Sequence, residues 1–125
     1  MVPRTAALLN CSYAIHASTR IAIRCGLSKS EVAALLVESS VGGIDPDLVL
    51  ISRMAGDIAE RATLREDVLE AAVERWSVDS VRQMILMLGW FNLIHRYVTA
   101  CRVPNDPDTK LECGERYDVG PEDSL

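Results

Sequence analysis

Helix start and stop signals constrain this chain more than any other feature of its sequence. Residues 4–24 contain neither Gly nor Pro, and Gly26 follows as a typical helix terminator. Pro104 ends the last predicted helix, and the other start signals are Ser28 with Glu31 as a capping box, Asp45 before Pro46, Thr63 with Glu66 as a second capping box, and Ser77. The helices that begin at Ser28 and Ser77 are predicted to run to about Glu38 and Arg102. Because no segment alternates apolar and polar residues as a strand does, the sequence predicts an all-α fold of about five helices.

Acidic residues are concentrated at the C-terminal end. From Val103 onward there are seven acidic and two basic residues, which accounts for the whole net charge of −5 of this 125-residue chain. The length fits one domain, so we predict a helical domain over residues 1–104 and an acidic tail or arm over residues 105–125. Because no basic stripe is present, a nucleic acid is not expected as a partner.

A membrane, a metal or a cofactor is not expected either. The longest apolar run begins at Met84 and is too short to span a bilayer, and the N-terminus lacks a convincing signal peptide. The four cysteines show neither a CxxC motif nor metal-ligand spacing. We therefore expect a cytoplasmic protein with reduced thiols, no metal site, no cofactor and no membrane partner.

The first predicted helix carries a stripe of mostly small side chains and a separate polar face. At about 100° per residue, the stripe comprises Ala7, Cys11, Ala14, Ile15, Ser18, Ala22 and Cys25, and the polar face comprises Tyr13, His16 and Arg20. Small side chains either let another helix approach closely or leave a cavity. Because Cys11 and His16 lie on different faces of this helix, they are poorly placed as a thiolate–imidazole pair. Cys11 and Cys25 lie roughly 21 Å apart along a straight helix, which is too far for a disulfide.

Two segments together resemble a known family. The stretch "NCSYAIHASTRIAIRCGLSKSEVAAL" resembles the core motif of the carboxymuconolactone decarboxylase and AhpD-like superfamily, with Cys11, Tyr13 and the continuation from Cys25 in matching positions. The stretch "GWFNLIHRYVTACRVPNDP" is similar to a second segment of that family, through Gly89, Asn92, Arg96, Ala100, Val103, Asp106 and Pro107. The resemblance implies an AhpD-like helical domain that associates into a homo-oligomer (dimer, trimer or hexamer), with pockets between helices near the interfaces.

The chain departs from this family at its reactive positions. Ala14 stands where the family has a second redox Cys or a Glu, and Ser18 stands where it has a His. The proton-relay Glu of the family would precede Met1. Without a resolving thiol at Ala14, hydroperoxide reduction by a dithiol cycle is not expected.

The last predicted helix offers a second candidate site. One stripe of it becomes polar toward its C-terminal end: Val81, Met84, Ile85, Leu88, Asn92, His95 and Thr99. His95 replaces a small residue of the family, so it either brings an acid–base group into a pocket or sits at a subunit interface. Arg96 is predicted to have a structural ion-pair role. Trp90 is interpreted as a core or interface residue that could also contact a substrate.

These observations define one set of candidate site residues. The candidate catalytic residues are His95, Cys11 and Tyr13, and the candidate substrate-binding residues are Asn92, Ser18, His16 and Trp90. For Cys11, a buried structural thiol and a pocket-lining role are equally compatible with the sequence. His16 is also compatible with a polar or interfacial face.

Three functions follow as hypotheses. The preferred one is a non-redox enzyme that binds a small organic substrate and performs proton-transfer chemistry, such as decarboxylation, isomerisation or cyclisation. The alternative is a catalytically silent subunit that forms a homo-oligomer, or a hetero-oligomer with a related chain. A thiol-dependent antioxidant is the weakest hypothesis. An enclosed pocket that joins Cys11, Tyr13, Asn92 or His95 would favour the enzyme, whereas a filled core there would favour the silent subunit.

Overall fold

The chain is all-α, as predicted. A computed structural model describes residues 1–37 and 44–105, and within these ranges it contains helices and no strand. The described helices are α1 (Val2–Leu8), α2 (Ser12–Arg24), α3 (Lys29–Leu36), α4 (Pro46–Arg61), α5 (Glu66–Arg75) and α6 (Val78–Ala100). The count is six rather than about five because the first predicted helix is divided into α1 and α2.

The prediction of one continuous helix over residues 4–24 was wrong. Asn10 adopts a left-handed backbone conformation with φ of 50°, which ends α1 before α2 begins. The N–H of Asn10 donates to Ala7 O, and the N–H of Cys11 donates to Ala6 O at 2.9 Å, which together form a Schellman motif. Asn tolerates this conformation better than most residues, so Asn10 was the available sequence signal. The predicted stripe is therefore interrupted, because Ala7 belongs to α1 and Cys11 is the N-cap of α2.

Most other predicted helix ends are confirmed. The hydroxyl of Ser28 accepts the N–H of Glu31, and the Glu31 carboxylate accepts the N–H of Ser28, which is the predicted capping box. Asp45 and Ser77 cap α4 and α6 through their side chains. The second predicted capping box was wrong, because Arg65 rather than Thr63 occupies the N-cap position of α5. The predicted end of the second helix at Glu38 lies outside the described residues.

Two apolar clusters form the core, and α6 contributes to both. The larger cluster joins α4, α5 and α6 through Met54, Ala55, Val68, Ala72, Val81 and Leu88. The smaller one contains Ala6, Cys11 and Ala14, against which Val98 of α6 packs. The short helix α1 is in contact with α2, α3, α4 and α6, so it lies centrally despite its length. The predicted domain boundary after residue 104 stays a prediction, because residues 106–125 of the predicted tail lie outside the described residues.

Length and apolarity together rule out a membrane span for every helix in the described ranges.

Candidate functional site

The polar end of the α6 stripe is buried. Val81, Leu88, Asn92 and His95 of the predicted stripe are buried, whereas Thr99 at its end is exposed. Asn92 and His95 are three residues apart and therefore lie on the same side of the helix. The inner face of α6 thus brings two of the candidate side chains together inside the protein.

His95 is held in an apolar environment. Its side chain is 3% exposed, and its ring stacks on Phe91 with centroids 5.8 Å apart and an interplanar angle of 29°. Burial lowers the pKa of the His95 imidazole below its usual value of 6.5, which favours the neutral ring. Nδ1 of His95 is buried and has no hydrogen-bond partner within residues 1–37 and 44–105. A buried polar atom of this kind is costly unless something else satisfies it.

Asn92 links α6 to the end of α4 through Arg96. Nε of Arg96 donates to Oδ1 of Asn92 at 3.3 Å, and its NH2 group donates to the carbonyl of Ala59 at 3.0 Å. Among the described residues, the partners of Arg96 are thus an amide oxygen and a carbonyl oxygen, and its predicted ion-pair role stays a prediction. The Nδ2 group of Asn92 is buried and lacks a partner among the residues described.

A cleft runs along this contact between α4 and α6. Its volume is about 530 Å³, and its walls include Ile58, Ile85, Gly89, Asn92 and Arg96. His95 is not part of these walls, so the cleft reaches one of the two inner-face side chains and not the other. The cleft offers an amide, the guanidinium groups of Arg61 and Arg96 and the carboxylate of Glu60 to a ligand, but none of the candidate catalytic residues lines it.

Cys11 is a packed thiol at the junction of α1 and α2. It is 2% exposed and contacts Ala6 and Ala14, with Tyr13 and Val98 packed around the cluster. Cys11, Cys25 and Cys101 are free thiols in the described part of the chain, and Cys113 lies outside that part. Cys11 and Cys25 flank α2 at its two caps, so they remain roughly 21 Å apart along the helix axis.

The remaining candidates on α2 are not gathered into one site. Ser18 is buried, and its hydroxyl donates to the carbonyl of Ala14, so it does not present a free hydroxyl to a ligand. Tyr13 and His16 are half-buried, and each already has an interaction partner. The candidate residues therefore divide between a small-residue cluster at α2 and the inner face of α6.

Trp90 belongs to a different surface. It is 59% exposed and lies among large apolar side chains on the side of α6 that faces away from the core: Leu86, Met87, Trp90, Leu93 and Tyr97. Four of them recur at intervals of four, three and four residues, which is the spacing of one helix face. We call these five residues the outer stripe. The run "MILMLGWFNLI" is apolar on more than one face of a helix, which is the sequence signal for an apolar patch on the last helix.

Comparisons of the chain with models of protein families, with curated proteins and with solved structures find no match. The resemblance to the AhpD-like superfamily therefore stays a prediction from the two sequence segments that carry it.

Proposed function

We propose that the chain is a self-assembling helical subunit whose outer stripe binds the outer stripe of a second copy. The observation that carries this proposal is the exposure of large apolar side chains along α6, with Leu86 76% and Tyr97 64% exposed. A helix that is apolar on opposite faces is normally covered on both. The core covers the inner face of α6, and a second copy covers the outer one.

The size of the outer stripe suits a small dimer interface. A whole aromatic side chain buries roughly 150–250 Å², so the exposed fractions of the five side chains add up to about 600 Å² in each copy. Pairing two copies would bury about 1,200 Å² in total, the lower end of the range for specific interfaces. A patch of about 600 Å² is also at the upper end for an isolated monomer.

The order of residues in the outer stripe favours an antiparallel pair related by a two-fold axis. In that arrangement Trp90 of one copy faces Leu93 of the other, and Leu86 faces Tyr97, so each aromatic ring packs against a leucine. A parallel pair would place Trp90 on Trp90 and Tyr97 on Tyr97. The helix dipoles also favour the antiparallel direction. The stripe is therefore self-complementary, as a two-fold interface requires.

The packing of the candidate catalytic residues supports a structural role. Cys11 and His95 are enclosed by neighbouring side chains, and Ser18 uses its hydroxyl within α2. A proton-transfer site would need at least one such group at the wall of a cavity that a substrate can enter. The filled packing at these positions is what a silent subunit requires.

Two substitutions of leucine by glutamate test this proposal. Leu93→Glu places a charge in the proposed interface twice, once from each copy, and should raise the dimer Kd by about 100-fold or more. Leu69→Glu is the matched control, since Leu69 is 40% exposed on α5 outside the outer stripe. Light scattering at micromolar concentration should show a smaller particle only for Leu93→Glu. Equal masses for both variants and the unmodified chain would refute the interface.

A second function, binding of a small organic molecule at Asn92 and His95, is favoured by one observation. Nδ2 of Asn92 and Nδ1 of His95 are buried without partners among the described residues, and a ligand with hydrogen-bonding groups would satisfy them. NMR of the full chain with a library of small polar fragments tests this function. Binding should shift the Asn92 amide and His95 ring signals, and shifts spread over the surface without these two would count against it.

A further inference from the structure

A cavity of about 210 Å³ lies between α1, α3 and α4, away from the outer stripe. Ala34 of α3 and Val37, the residue that follows α3, form part of its apolar wall. Four arginines also line it: Arg4, Arg53, Arg61 and Arg65. A concentration of arginines around one cavity is unexpected in residues 1–102, whose acidic and basic residues balance.

The four arginines differ in the partners that their guanidinium groups have. Arg65 is bound to Asp57, and Arg53 donates to Asp67 at 2.8 Å in a pair that is largely exposed to solvent. Arg4 already has an interaction partner, so it is not counted as a donor to a ligand. Arg61 forms no salt bridge with a carboxylate in residues 1–37 and 44–105, and its charge acts on Asp57 only from beyond contact distance.

Guanidinium groups outnumber carboxylates in the walls of the cavity. Asp57 and Glu60 stand against four arginines there, although Asp57 pairs with Arg65 and Asp67 pairs with Arg53 from outside the walls. Ser52 also lines the cavity, and its hydroxyl oxygen is buried without a hydrogen-bond partner among the described residues. A hydroxyl group can donate to an anion while a guanidinium group binds its other oxygens.

We infer that this cavity binds a small anion with carboxylate or phosphate oxygens, held by Arg61 and Arg53 with the Ser52 hydroxyl as a further donor. The planar guanidinium fork matches both kinds of oxyanion. The exposed pair of Arg53 with Asp67 is worth only about 0–1 kcal/mol, so a ligand can compete for Arg53. A cavity of about 210 Å³ has room for a phosphate or a four-carbon dicarboxylate.

Isothermal titration calorimetry of the full chain, at constant ionic strength in chloride, tests this site with inorganic phosphate and with succinate. Saturable binding of one ion per chain is expected for at least one of them, and the ion that binds identifies the class of ligand. Arg61→Gln should weaken that binding by about tenfold or more, because a charge-assisted pair is lost. Arg61→Lys should restore only part of it, since the ammonium group lacks the planar fork.

Arg82→Gln is the matched control, because Arg82 is an exposed arginine of α6 that does not line the cavity. It should bind the ion as the unmodified chain does, and circular dichroism should show that both glutamine variants melt as folded proteins. Absence of saturable binding for both ions would overturn the inference. Equal weakening by Arg61→Gln and Arg82→Gln would also overturn it, because it would indicate attraction to net charge rather than a site.

Discussion

The carboxylate of Asp57 in α4 accepts hydrogen bonds from two groups of Arg65, the backbone N–H and the guanidinium Nε, each at 3.0 Å. Arg65 is the N-cap residue of α5, so this one carboxylate fixes the start of α5 against α4. Burial by itself raises the pKa of Asp57, but the hydrogen bonds from Arg65 and the charges of Arg65 and Arg61 outweigh it. The pKa of Asp57 therefore lies below its usual range, and the group stays ionised at neutral pH.

Asp57→Asn should destabilise the fold in a way that depends on pH. At pH 7 we expect the free energy of unfolding to fall by about 1–2 kcal/mol, because a buried acceptor is weakened while the partly exposed Arg65 regains water. Because the pKa of Asp57 is lower in the folded state, its ionised form stabilises the fold at a pH above the unfolded-state pKa of about 3.9. This stability is lost as the pH falls through the folded-state pKa.

Urea unfolding of both proteins between pH 7 and pH 2 checks this prediction. The curves for Asp57→Asn and the unmodified chain should converge in acid. Asp79→Asn is the control, since Asp79 forms an exposed pair, and it should change stability little at any pH. A constant difference over the whole range would show that the Asp57 charge does not matter.

His95 should make the fold sensitive to mild acid. The imidazole pKa is lowered by burial, so the unfolded state takes up a proton near pH 6.5 while the folded state resists it. The stability that His95 provides above pH 6.5 is therefore lost as the pH falls toward the pKa of its imidazole in the folded state. His95→Gln should remove much of the loss between pH 7.5 and pH 5, whereas His16→Gln, which retains His95, should keep it. Thermal melting at both pH values measures the difference, and an unchanged loss in His95→Gln would contradict the prediction.

The break between α1 and α2 should depend on the residue at position 10. Asn10 has φ of 50°, a conformation that a β-branched residue adopts only with strain. Asn10→Val should lower the free energy of unfolding by about 1–2 kcal/mol, and Asn10→Gly should leave it nearly unchanged or raise it. Urea unfolding of the two variants checks this. Similar stabilities for Gly and Val would mean that position 10 is not left-handed.

Local chemistry was easier to predict from the sequence than burial was. Ser28 with Glu31 and Asp45 with Pro46 begin helices through contacts within one turn, so their residue types sufficed. The Asp57–Arg65 contact depends on how the chain turns between α4 and α5, which residue types alone do not specify. Periodicity placed Asn92 and His95 on one face, but it could not show that their polar atoms would be enclosed. It also could not show that Trp90 would face solvent, because both faces of α6 are apolar.

A designed disulfide tests the direction of the proposed pair. In the antiparallel register that pairs Trp90 with Leu93, position 83 of one copy lies opposite residue 100 and therefore next to Cys101 of the other, and both Gln83 and Cys101 are exposed. Gln83→Cys, in a background with Cys25→Ser and Cys113→Ser, should form a covalent dimer under mild oxidation, and adding Cys101→Ser should abolish that heterologous link. The protein with Cys25→Ser and Cys113→Ser alone, which retains only Cys11 and Cys101, should form no covalent dimer. A covalent dimer through Cys101 in that background would indicate parallel helices instead.

The mass of the unmodified full chain in solution tests self-assembly most directly. One chain has a mass of 13.7 kDa. Sedimentation equilibrium over a micromolar concentration series should give a particle of at least twice that mass, with dissociation only on dilution. A folded species that stays at 13.7 kDa throughout the series would contradict the account, because the outer stripe of α6 would then be exposed without a second copy to cover it.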